Sequence, residues 1–383
     1  MKTSLAAGAC ALAFCSVLFA DDDRQFPRSA TFTTLAITPL AIEGLTADRD
    51  GNLYTTGRDL VGATCPVWKF TGAERTTVGF IPSPAAARCN PSGIAFDAHG
   101  DLYIADGGAA ATVWKLTPDA TTPPLATAFA TGVPGTNGLA FDRDGNLWTG
   151  DGTTGLGRVW RIGSTGGACE PAFTGCTEVF RIQPMANTAG IGRSNSTLQA
   201  PAAPSPQPLV ANGVAFTHDG DLYVADTARG AIWRIELDRH GNLKSPIGCD
   251  TTFTANTLCL DNVFVAHPFL EGTDGIALDR AGNIWNSANE RNAIVVVTKD
   301  GRVEEVFRNP VVSGLRNAGP LELPTSPVLI GKKFCTAQSD GNRRDNSPNS
   351  AGEVNQGGPV GARGKISCMD QALEIPGLPL PVR

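Results

Sequence analysis

Five residues spread through the chain, Glu43, Ser92, Asn137, Asn212 and Asp274, each stand directly before a glycine and an apolar–x–apolar run. Four of them carry carboxylate or amide oxygens. Brought together, two carboxylates and two amides form a hard oxygen donor set with two negative charges, which suits Ca²⁺. No histidine or cysteine occupies these positions, which disfavours zinc and copper. A second reading stays open, because Asn, Asp and Ser also begin strands and hold turns for backbone reasons alone.

The elements that must position these residues recur with them. ANGVAFTHDGDLYVADTARGAIWRI, from Ala211 to Ile235, reads as strand, turn, strand, polar loop and strand. Near-copies begin at Ile42, Ser92, Asn137 and Asp274, with turn glycines at 51, 100, 145, 220 and 282. A degenerate sixth runs from Ser326 to Gly341, with GKISCMD at 364–370 as its third strand. Strand-only units at a period of about 40–50 residues indicate a β-propeller. The expected fold is all-β: a single domain over 21–383 with six four-stranded antiparallel blades. The strand at 30–37 has no blade of its own and is expected to close the last one, which also removes an exposed sheet edge. In such a ring the first strand of every blade lines the central channel, so the five residues meet at one mouth.

Composition agrees. The chain of 383 residues has 44 Gly, 27 Pro and few charged residues, as short strands joined by turns require. Its net charge of −6, without a basic run, argues against nucleic acid or an anionic membrane as partner. Residues 1–20 read as a signal peptide: Lys2, then a mostly apolar run to Phe19, then Ala20 before three aspartates. An N-terminal anchor is the alternative, although the run is short for a span. No other segment is apolar enough to cross a membrane, and a secreted or periplasmic location follows. Eight cysteines remain beyond the signal, and their proximity predicts the disulfides Cys65–Cys89, Cys169–Cys176, Cys249–Cys259 and Cys335–Cys368. Insertions near 163–209 and 244–264 should lie on the surface, and 184–208 reads equally as a spacer or a lid.

Other polar residues fall into two sets. The first-turn aspartates Asp48, Asp97, Asp142 and Asp279 read as turn-stabilising, at the strand end opposite the proposed ion. Trp68, Trp114, Trp160 and Trp233 recur in third strands and read as packing between blades. The loops after the second strands should rim the mouth, which makes Arg58, Asp151, Asp226 and Asn289 candidates for substrate contact. Asp59, Asp106, Glu290, Asp340, Arg343 and Arg344 share those loops. His99, His218 and His240 read as turn residues on the far face, while His267 precedes the Asp274 strand.

The set EGL, NGL, NGV and DGI, each followed by a D-x-x-G-x-(L/I)-(Y/W)-like turn, resembles the SMP-30/gluconolactonase/luciferin-regenerating-enzyme family. DGIALDRAGNIWNSA and ANGVAFTHDGDLYVADT are the most characteristic stretches, and the likeness covers Ile42 to Phe307. The resemblance implies a divalent ion, usually calcium, held by Glu43, Asn137, Asn212 and Asp274. It also implies hydrolysis of small lactones or related esters, with Asp274 as general base or nucleophile. The competing expectation is a non-catalytic propeller of the NHL kind, since PSGIAFDAHGDLYIADG in the second copy matches that pattern well. A lyase or synthase on the same scaffold is a third.

Overall fold

The computed structural model describes residues 26–27, 30–58, 60, 62–83, 87–183, 211–309, 319–339 and 363–379. The expected signal segment, the run 184–208, Asp59, the loop from Asp340 through Arg343 and Arg344 to 353, and the side chain of Glu290 lie outside the described residues.

Alternating apolar residues and tight turns produce, among the described residues, six sheets of four antiparallel strands, one of them extended by the short parallel strand Gly167–Ala168. The first blade contains Leu45–Ala47, Leu53–Thr56, Cys65–Thr71 and Glu74–Ile81. The second begins at Pro91–Phe96, the third at Thr136–Phe141, the fourth at Val214–Phe216 and the fifth at Thr273–Leu278. The sixth joins Pro324–Ile330, Lys333–Gln338 and Lys365–Met369 to the N-terminal strand Phe32–Ile37, which pairs antiparallel with Lys365–Met369. This is the expected closure. The five repeat glycines at 51, 100, 145, 220 and 282 have φ between 80° and 97°, a conformation glycine adopts without the penalty a Cβ brings.

A blade buries little by itself, so the core is divided among the interfaces between neighbours. Each apolar cluster among the described residues joins two consecutive blades. Leu45, Trp68 and Val328 close the ring between the sixth and first, and Trp148, Phe216 and Trp233 join the third to the fourth. Trp68, Trp160 and Trp233 are buried in these seams and Trp114 packs partly buried against another, as expected of inter-blade packing.

Outer edges are covered by the following blade. Phe80 bonds through its backbone to Pro124 and Ala126, Gly167–Ala168 pairs in parallel with Thr127–Thr131, and Arg181 bonds to Asn256 and Leu258. The two insertions are therefore edge covers where they are described. All four expected disulfides form, two of them within those covers, a content suited to an oxidising compartment. No helix among the described residues is long and apolar enough to cross a membrane.

The first strands enclose a largely apolar channel of about 140 Å³, lined by residues such as Ile94, Leu139, Val214, Ile276 and Val328. At its far mouth the C-terminal segment crosses from the sixth blade to the fifth. Gly377 N–H donates to the Gly331 carbonyl (2.8 Å) and Leu378 N–H to the Leu278 carbonyl (3.0 Å), which lays Leu378 against the channel.

Candidate metal centre at the channel mouth

The residues before the repeat glycines form a closed ring. A methyl group on Gly138 would stand 2.6 Å from the Asn212 carbonyl oxygen, and one on Gly275 would stand 2.5 Å from that of Thr325. Space is tighter still between Gly44 and Ser92, Gly93 and Asn137, and Gly213 and Asp274. The circuit closes where Thr325 Oγ1 donates to the Glu43 carbonyl, 2.6 Å. These glycines allow blade to approach blade.

Glu43, Asn137, Asn212 and Asp274 thus stand at the starts of the channel strands of the first, third, fourth and fifth blades, with Ser92 of the second and Thr325 of the sixth completing the ring. The Asn137 amide donates to Glu43 Oε1 at 3.3 Å, and the other carboxylate oxygen, Oε2, is paired with Arg58. Arg58 also donates to Asn90 Oδ1. Asp274 Oδ2 accepts from the Asn289 amide at 2.8 Å. Gly152 leaves the room Asn137 needs: a Cβ there would come within 2.7 Å of Asn137 Nδ2. Ser92 Oγ donates instead to the Thr136 carbonyl, 3.2 Å.

Asn212 is the most telling of the set. It is 2% exposed, and its Nδ2 donates to Thr227 Oγ1 at 3.2 Å. Its Oδ1 is buried and meets no hydrogen-bond donor. An unsatisfied buried amide oxygen costs about 1–3 kcal/mol, so its retention points to a ligand that this oxygen receives. A hard cation suits such an oxygen, and Glu43, Asn137 and Asp274 stand on the same ring of strand starts. The residues present therefore fit a divalent ion. Among the described residues no three of His, Cys, Asp or Glu gather as a metal cluster, so any site here must use its amides.

Asp151 and Asp226 are wholly buried and engaged by the scaffold. Asp151 Oδ2 accepts from Arg158 Nε at 2.9 Å. Asp226 Oδ2 accepts from Arg229 Nη1 (2.7 Å) and Trp233 Nε1 (3.0 Å). Burial pushes the Asp226 carboxyl above its ordinary range, against the pull of the Arg229 charge and the hydrogen bonds from Arg229 and Trp233. Asp106 is raised in the same way, with backbone donors from Asn90 and Gly108, the Trp114 indole and the charge of Arg58 opposing its burial. Of the four candidates for substrate contact, Arg58 and Asn289 touch the ring residues directly, whereas Asp151 and Asp226 brace their own loops.

The turn aspartates sit where expected. Asp48 Oδ1 accepts from the backbone of Asp50 (3.0 Å) and Asn52 (2.9 Å), and Asp142 and Asp279 repeat the pattern. His267 caps the short turn Pro268–Leu270, its Nδ1 accepting from Phe269 N–H at 3.1 Å. Thr227, Gly152, Asn90 and Thr325 escaped the sequence reading. Thr325 did so because the sixth copy reads Thr-Ser-Pro where the others have X-Gly.

A model of the SMP-30/Gluconolactonase/LRE-like region matches residues 43–333. No curated protein sequence matches the chain significantly. Among solved structures, a luciferin-regenerating enzyme superposes with a TM-score of 0.56 at 14% identity, covering 92% of this chain and 98% of that one. A PQQ-bound aldose sugar dehydrogenase from Streptomyces coelicolor gives 0.54 at 15%, covering 90% and 100%. The calcium-binding protein regucalcin from Agrobacterium tumefaciens strain C58 gives 0.53 at 17%, covering 93% and 98%. At these identities the likeness is one of fold, and it spans different chemistries.

Proposed function

The chain belongs to the SMP-30/gluconolactonase/LRE-like family, and from that premise we propose that it is an exported hydrolase of small lactones or related esters that works with a divalent ion, calcium first. The buried, donorless Oδ1 of Asn212 is the observation that carries this reading. Glu43, Asn137, Asn212 and Asp274 hold the ion, and regucalcin, of the same fold, is a calcium-binding protein. When bound, the ion supplies Lewis-acid polarisation of the ester carbonyl and stabilises the oxyanion.

The protein's own groups do the rest. Asp274 is the general base: it takes a proton from the attacking water as the new C–O bond forms. The alcohol oxygen leaves as the ring C–O bond breaks and receives a proton in turn. The Asn289 amide keeps Asp274 oriented through its 2.8 Å hydrogen bond. Arg58 and Asn289 line the approach to the ring and orient the substrate, and the loops braced by Asp151 and Asp226 shape its rim. Export rests on residues 1–20 and on the four disulfides.

Calorimetric titration with CaCl₂ of the wild type, Asn212→Ala and Asp274→Ala, followed by a panel of lactones and esters, tests the proposal. Binding by the wild type, weakened in both variants, with turnover lost in Asp274→Ala, is the expected result. A wild type that binds no divalent ion removes the mechanism and leaves a propeller that serves as a binding module.

A further inference from the structure

The ring carries a cation of its own. Arg58 and Glu43 are both largely withdrawn from water, with side chains 17% and 13% exposed. Arg58 is anchored by its backbone N–H to the Ala41 carbonyl at 3.0 Å. One arm of its guanidinium meets Glu43 Oε2 and the other Asn90 Oδ1. Each oxygen of Glu43 thus faces a donor, Arg58 on one side and the Asn137 amide on the other.

Resting on the ion-binding reading above, we infer that Arg58 is a built-in counter-ion that competes with the divalent ion for Glu43 and so sets the affinity of the site. Glu43 and Asp274 contribute two negative charges, and Arg58 cancels one of them. Calcium affinity follows the charge count of the ligands, so the site is weaker than its donor set alone would make it. A divalent ion at Glu43 repels the guanidinium. A second resting place for Arg58 is already present: Asn90 holds its other arm, and Asn90 N–H donates to Asp106 Oδ1 at 3.2 Å, so a carboxylate lies just behind. Ion loading and the Arg58–Glu43 pair are therefore alternatives, linked through one carboxylate.

Calcium titrations of the wild type, Arg58→Gln, Arg58→Lys and Glu43→Gln test this, together with the calcium-induced rise in Tm. Arg58→Gln should bind calcium about tenfold more tightly and show a larger Tm rise. Arg58→Lys keeps the charge but cannot span Glu43 and Asn90 at once. It should gain about threefold, and it carries the test if Arg58→Gln does not fold. Glu43→Gln should lose most of the binding. An affinity that is unchanged or weaker in both Arg58 variants overturns the inference while leaving ion binding intact. Wild-type affinity in Glu43→Gln overturns it too, since the shared carboxylate would then not be a ligand. No binding by any form overturns this inference and the ion-binding reading together.

Discussion

Thr227 and Asn212 are locked in one hydrogen-bonding sense. The Thr227 hydroxyl gives its single proton to the Thr273 carbonyl at 2.6 Å, so it can only accept from the Asn212 amide nitrogen. The amide is thereby held with Oδ1 turned away from Thr227. Thr227→Val removes that lock while keeping the shape. Calcium affinity should fall about tenfold or more, with little loss of fold, as read by calorimetry beside a thermal melt.

Gly152 makes room for the other amide of the set. Gly152→Ala should push Asn137 from its place against Glu43, where a Cβ would lie 2.7 Å from Nδ2 and 2.9 Å from Asn137 Cβ. A destabilisation of about 1–3 kcal/mol, together with weakened calcium binding, is expected. A denaturant melt and a titration on the same sample check both.

The far-face turn of the first blade should contribute to acid stability. Burial acts to raise the Asp48 carboxyl, but hydrogen bonds from Asn52 and Tyr54 and the Lys69 charge outweigh it and hold it below the ordinary 3.8. A depressed folded value means that the contribution is present above the unfolded value and is lost as pH falls through the folded one. Asp48→Asn should therefore lower Tm at neutral pH, and its deficit should shrink as the pH drops below 3.8. A constant difference in Tm across pH would refute the assignment.

Cys335 and Cys368 face each other across neighbouring strands of the sixth blade, and Cys368 is also paired with Thr33 of the N-terminal strand. Replacing both cysteines with alanine should cost about 3 kcal/mol. Amide exchange should then rise first in Phe32–Ile37 and Lys365–Met369, because these strands close the ring. Hydrogen-exchange mass spectrometry reads this directly.

The fold was legible because a propeller repeats its argument: five copies of strand, turn and strand give the same pattern independently, and a lone N-terminal strand has only one sheet edge to fill. That Glu43, Asn137, Asn212 and Asp274 share one ring was legible for the same reason, as variation at one place within a constant frame. The second-strand aspartates were harder to read. Asp151 and Asp226 look like rim charges along the chain, yet their partners Arg158 and Trp233 stand seven residues on, across the hairpin, where the register returns them. Thr325 was hidden because the sixth blade reaches Glu43 through a hydroxyl, not by the close approach of a glycine. The link between Arg58 and Glu43 joins a loop to a strand start fifteen residues earlier, and the same spacing recurs in Asn212–Thr227 and Asp274–Asn289, a second register of the repeat that shows only once the side chains are placed.

The C-terminal segment that lays Leu378 across one end of the channel has a kinetic meaning. With Leu378 lining that end, a small molecule bound at the ring would arrive and depart through the opposite opening. On the proposed function, product would then leave by the opening that admits substrate. A bulky compound lodged over the rim would slow escape as much as arrival, so its signature would be trapped ligand rather than simple competition.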